Sequence, residues 1–172
     1  MNIFVVHHMP RIAAQSLCDA HVIKMLVESC QLLSTHDRLT GRFSDPSGLF
    51  KSTHQQHPCR ISLGTNDFNR QWLIHHLHGL LDEYTYRFGK VHKCQAMADT
   101  YWPIDAPGMI YSTYELFIDL PLCMPEIFKV SPHTGMSNID RIVASYRNYY
   151  QHKKQTMKRF KYTRREPPEW LK

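Results

Sequence analysis

Between Asn66 and Gly89, the residues Phe68, Trp72, Leu73, His76, Leu77, Leu80, Tyr84 and Phe88 recur at helical spacing, with no proline inside the run. An apolar stripe of that length must lie against other elements. It predicts a long core helix over 66–88, with Thr65 or Asn66 as its cap and Gly89 as its stop.

Two further stretches read the same way. Pro10 suits a first helical turn, and a helix is predicted over 11–35. At 100° per residue Val22, Ile23, Leu26, Cys30 and Leu33 fall on one side, and His21, Lys24, Glu28 and Gln31 on the other. Leu17, Met25 and Leu32 border the polar side, which therefore reads as a cleft wall. The last helix, capped by Ser137 or Asn138, turns Ile139, Ile142, Val143, Tyr146, Tyr150 and Met157 inward. A shorter helical segment at 92–101 stops at Trp102 and Pro103. Residues 105–132 are interrupted by Pro107, Gly108, Pro121, Pro125 and Pro132, so that only 111–120 there has helical character. Residues 2–6 read as a short strand or extended segment, 41–64 as a long ordered loop, and 161–172 as a polar tail. A chain of 172 residues with 42% apolar content fills one core. The expectation is a mainly α single domain, 1–172, built on three main helices with long ordered loops and a basic C-terminal helix and tail.

Charge narrows the partners. The formal net charge is +6, which favours polyanions. Ten of the last thirty-two residues are Lys or Arg, interleaved with Tyr146, Tyr149, Tyr150, Phe160, Tyr162 and Trp170. Cations displace counterions from a phosphate backbone, and rings between them stack on bases that leave the duplex. Arg11, Arg141, Arg147, Lys153, Lys154, Lys158, Arg159 and Trp170 are the candidate DNA contacts. Arg141 and Arg147 read equally as part of a helix face that packs tyrosines inward. The five cysteines (Cys18, Cys30, Cys59, Cys94, Cys123) are odd in number and scattered, which argues against a disulfide framework and fits a reducing cytoplasm. The first ten residues do not read as a signal peptide, and no run is long enough to span a membrane. Without a Walker A, G-x-G-x-x-G or H-E-x-x-H motif, nucleotide hydrolysis, dinucleotide binding and zincin chemistry have no support.

His21 and Glu28 are two helical turns apart, about 10 Å along one face, with Lys24 between them. A carboxylate, an imidazole and an amine in a cleft suit reactions at a sugar carbon, where positive charge develops. The plainer reading of the same spacing is a surface Lys24–Glu28 pair with His21 solvated. His54, His57 and Cys59, with His92 and Cys94, offer a set of metal donors that matches no strong signature. His75, His76 and His78 read as helix packing and surface. His7 and His8 line the Glu28 cleft if the amino terminus folds back. Cys18 reads as a small buried apolar residue.

The run Leu17-Cys18-Asp19-Ala20-His21-Val22, with Glu28 seven residues after the histidine, resembles the phage pyrimidine-dimer DNA glycosylases of the endonuclease V type. The middle helix and the closing Pro168-Glu169-Trp170-Leu171-Lys172 extend the likeness in the same order along the chain. The resemblance implies a DNA glycosylase with AP-lyase activity, acting on duplex DNA in the cytoplasm of a host cell, with no cofactor or metal. It also implies an α-amine attacking C1′ to form an imine, Glu28 stabilising the cationic sugar, His21 positioning substrate or Glu28, and Trp170 wedging beside the lesion. In the family the amine belongs to a small residue exposed by loss of the initiator Met; here Asn2 is bulkier. The nucleophile is then the amine of Met1 or of Asn2, or that of Lys24 if burial lowers its pKa, or else water, as in a simple glycosylase. The alternatives are a nucleic-acid-binding protein without catalysis, and a metal-dependent nuclease or base-modifying enzyme built on the His54, His57 and Cys59 region.

Overall fold

A computed structural model describes residues 1–104 and 118–172. Six α-helices lie among them: α1 (Pro10–Gln15), α2 (Asp19–Leu39), α3 (Pro58–Ser62), α4 (Asp67–Phe88), α5 (Gln95–Tyr101) and α6 (Asn138–Thr156), with short 3-10 turns at Glu126–Phe128 and Glu169–Leu171. The mainly α expectation holds, and α2, α4 and α6 are the three long elements. Residues 2–6 form no strand, and the backbone turns at Phe4.

The caps explain where the long helices begin. The Asn66 side chain accepts from the Asn69 N–H, and Gly89 ends α4 in the left-handed region at φ 65. The Ser137 side chain accepts from the Asp140 N–H to start α6.

The single helix expected over 11–35 is two. Cys18 is extended between α1 and α2, because long-range partners claim the residues around it. The Cys18 N–H donates to the Tyr150 hydroxyl at 2.8 Å, and the Asp19 N–H donates to the Lys161 carbonyl at 2.9 Å. The Asp19 carboxylate accepts from the Thr163 N–H and hydroxyl and from Arg87. Burial alone would raise the Asp19 pKa, and those hydrogen bonds with the Arg87 charge outweigh it and hold the carboxyl below its ordinary value.

Arg87 is fully enclosed and gives its protons to Glu83, to Asp19 and to the carbonyls of Gln15 and Leu17. Arg165 closes the network on the other oxygen of Glu83 at 2.6 Å. The segment expected to be a polar tail is therefore a strap: Tyr162, Thr163 and Arg165 bind the α1–α2 corner and α4, and Leu171 is buried. A second buried pair ties α2 to α4, where Arg70 grips both oxygens of Asp37, at 3.1 and 2.9 Å, and the Trp102 indole donates to Oδ2 at 2.7 Å.

The apolar core joins α1, α2, α4 and α6 to the amino-terminal segment, with Ile3, Val5, Val6, Leu26, Leu33, Trp72, Leu77, Leu80, Ile142 and Tyr146 inside. Gly79 lets α1 approach α4, since a Cβ there would lie 3.1 Å from Ala14 and from the Arg11 backbone. Ile23, expected on the apolar side, is exposed, while Met25 and Leu32 are buried. The α2 interface is thus rotated toward the side that the sequence pattern gives as polar. The loop expected over 41–64 contains α3, and α5 starts later than expected. The helical character expected over 111–120 lies, as far as 117, outside the described residues; residues 118–120 are not helical.

Candidate active site

The amino terminus folds back onto α2 at Glu28. Phe4 adopts φ 56, a left-handed conformation that costs a bulky residue free energy and is held by its surroundings. Its ring lies 4.6 Å from that of His21 and 6.0 Å from that of Tyr149. The turn at Phe4 brings Asn2 over α2, where every polar group of its side chain is used. Oδ1 accepts from the Ile3 N–H at 2.8 Å, and Nδ2 donates to the Cys123 carbonyl at 2.9 Å. The Asn2 backbone N–H donates to Glu28 Oε2 at 3.1 Å. Lys24 lies 3.5 Å from Glu28 Oε1.

These groups surround a cavity of about 210 Å³ lined by Met1, Asn2, Phe4, His21, Lys24, Met25, Glu28, Cys123, Tyr149 and Lys153. The surface-pair reading of Lys24 and Glu28 accounts for only half of the geometry. The Lys24 side chain is 63% exposed, but that of Glu28 is 13% exposed and sits against the amino terminus. The burial that an imine on Lys24 would require is missing. His21 is buried, not solvated, and shares a 2.8 Å hydrogen bond between Nδ1 and the Tyr150 hydroxyl. Burial first, then the charges of Lys24 and Lys153, pushes its pKa down to about 4. The imidazole is neutral at neutral pH.

His57, Cys59 and Cys123 gather just beyond the amino terminus. His57 caps α3 by accepting from the Cys59 N–H at 3.2 Å, and burial and then the charge of the amino terminus lower its pKa. The two sulfurs are 3.3 Å apart. That contact, with burial, pushes the Cys59 thiol up, and it lowers Cys123. His54 bonds to Thr53, the His92 ring meets Tyr84 edge to face, and Cys94 shares a hydrogen bond with Cys30, so these three do not join the cluster. Cys123 was not a sequence candidate, and no local signal marks it, because it stands 64 residues from Cys59.

His7 and His8 do not line the Glu28 cavity. The buried stretch from Phe4 to Val6 carries them past it, to a larger cavity of about 560 Å³ shared with Asp140, Arg147 and Trp170. Trp170 also lies there, under the Arg147 guanidinium at 5.1 Å. Arg147 itself donates to the Val6 carbonyl at 2.9 Å, so it fastens the amino-terminal segment.

The basic candidates divide by environment. Arg11 pairs with Asp82, Arg141 donates to Asn138, and Lys154 donates to the Leu171 carbonyl. Lys153 lies over the Tyr149 ring at 4.9 Å, on the wall of the Glu28 cavity. Lys158 and Arg159 are exposed just beyond α6. His75 and His76 are both buried and His78 half-buried, so the α4 histidines face the core more than expected. Cys18 is buried as expected, although His21 Nδ1 comes within 3.6 Å of its sulfur.

In this helical protein a carboxylate thus accepts from the first peptide group of the chain, in a cavity edged by Lys24 and Lys153. The family model described as pyrimidine dimer DNA glycosylase matches residues 1–96, more than half of the 172 residues, and the chain belongs to that family. No curated protein and no solved structure was found to match it. The family acts on DNA, and no helix among the described residues is long and apolar enough to cross a membrane.

Proposed function

We propose that the protein excises a damaged pyrimidine from duplex DNA and then cuts the strand as an AP lyase, using the α-amine at its amino terminus. The amine is that of Met1 or, once Met1 is removed, that of Asn2. Its lone pair attacks C1′, and the glycosidic bond breaks with its electron pair going to the base, which takes up a proton. Opening of the sugar ring and proton loss leave an imine. Removal of a proton from C2′ then expels the phosphate at C3′. An α-amine has an ordinary pKa near 8, so a useful fraction is unprotonated at neutral pH.

One observation carries this reading: the Asn2 N–H donates to Glu28 Oε2 at 3.1 Å. Whichever amine reacts, the carboxylate is within one residue of it. There Glu28 can stabilise positive charge at the sugar and relay the protons that the imine steps require. His21, neutral and braced by Tyr150, positions the sugar against Glu28. Lys153 beside the cavity and Lys158 and Arg159 beyond α6 are the proposed backbone contacts.

The test is nicking of a duplex that carries a single cyclobutane pyrimidine dimer, in EDTA, by the native protein and by Glu28→Gln. The expected loss is about 10²–10⁴-fold in rate with DNA binding retained. An intact Glu28→Gln protein that cuts at the native rate overturns the assignment. Salt-sensitive binding with no cutting by the native protein would favour a binding protein without catalysis.

A further inference from the structure

Beside the amino terminus, three donors that zinc prefers converge from elements far apart in sequence. His57 and Cys59 come from the start of α3, and Cys123 from the extended segment after residue 118. One ligand atom from each lies within 4.8 Å of the other two. Cys59 is fully buried, whereas His57 and Cys123 are partly open.

The geometry points to a zinc site formed by the His57 ring and the Cys59 and Cys123 sulfurs, close to the amino terminus. Zn–S bonds of about 2.3 Å in a tetrahedron put two sulfurs about 3.8 Å apart. The pair at 3.3 Å therefore needs to open by only about half an ångström. Both cysteines would bind as thiolates, their protons passing to the buffer.

The segment bearing Cys123 is already fixed independently of a metal. The Tyr146 hydroxyl donates to the Pro121 carbonyl at 2.8 Å, and Asn69 exchanges hydrogen bonds with the Asp119 backbone. The ligands are thus held for an ion to enter rather than waiting to be gathered. The ion would act as a pin: the Cys123 carbonyl holds the Asn2 side chain, so linking Cys123 to α3 steadies the residue that sits on Glu28.

The experiment is titration of the full-length reduced protein with Co²⁺, followed by competition with Zn²⁺, without DNA, so that the result is independent of the glycosylase reading. Expected are one Co²⁺ per chain, a thiolate-to-cobalt charge-transfer band with the visible bands of a tetrahedral ion, and loss of all of them on adding Zn²⁺. Cys123→Ser should lose or strongly weaken the band, and His57→Gln should alter the visible bands. Cys30→Ser, which removes a thiol of the other cysteine pair, should leave the spectrum unchanged. Zn²⁺ should also raise the Tm of the native protein and not that of Cys123→Ser. No charge-transfer band under reducing conditions overturns the site, as does a Cys123→Ser protein with the native spectrum.

Discussion

Glu28 is separated from His21 by two helical turns, and the two side chains meet different surroundings. Glu28 opens to the cavity and to the amino terminus, while His21 is closed under Phe4 and bonded to Tyr150. This difference makes a testable contribution to stability. Burial lowers the pKa of His21 to about 4 and that of His76 to about 3, so both stay neutral in the fold while the unfolded chain takes up protons below about pH 6.5. The stability is fully present above that value and declines as pH falls toward 4. His21 alone contributes on the order of 3 kcal/mol of that decline, and His36, His75 and His92, lowered in the same direction by burial, add to it. Urea unfolding measured from pH 8 to pH 4.5 should be level and then slope downward, and a level curve through the lower range would contradict the buried neutral histidines. The spacing of His21, Lys24 and Glu28 was legible in the sequence because helical geometry fixes it. Which of the three is buried was not, since that depends on Phe4, Tyr149 and Tyr150 arriving from elsewhere in the chain.

At the scale of elements, local chemistry read true wherever it acts locally. The Asn66 and Ser137 caps and the Gly89 stop are satisfied within a few residues, and α4 and α6 begin and end near the expected positions. The break at Cys18 was invisible for the opposite reason: Tyr150, Lys161, Thr163 and Arg87, which hold it open, lie far along the chain. Ile23 marks a similar limit, because a periodicity finds an apolar face but not how neighbouring elements rotate it. The Arg87 network carries the α1–α2 corner, so Arg87→Met should cost about 3–5 kcal/mol by leaving the enclosed carboxylates of Glu83 and Asp19 short of a partner. Chemical unfolding would read that loss directly. A change below about 1 kcal/mol would mean that Arg165 and Thr163 suffice to hold the corner.

Across the whole molecule, the family match over 1–96 covers α1 to α4 and with them His21, Glu28, His57 and Cys59. The second half completes the cavity, contributing Cys123, Tyr149 and Lys153 to its wall and Tyr150 beneath His21. Its basic composition, read from the sequence as one DNA-binding surface, is divided in the fold. Arg147, Lys154 and Arg165 hold the structure together, and Lys153, Lys158 and Arg159 are the contacts proposed for a phosphate backbone. Charge counts cannot separate these uses, because they depend on which carbonyl or carboxylate each cation meets. The central claim is that the α-amine beside Glu28 forms a bond to the sugar. It is tested most directly by borohydride reduction of the protein with dimer-bearing or abasic duplex DNA in EDTA, followed by mass spectrometry of the cross-linked peptide. A reduced adduct on the α-amine of Met1 or Asn2, greatly diminished in Glu28→Gln, is the expected result. An adduct on Lys24, or strand cleavage with no trapped adduct, would contradict it.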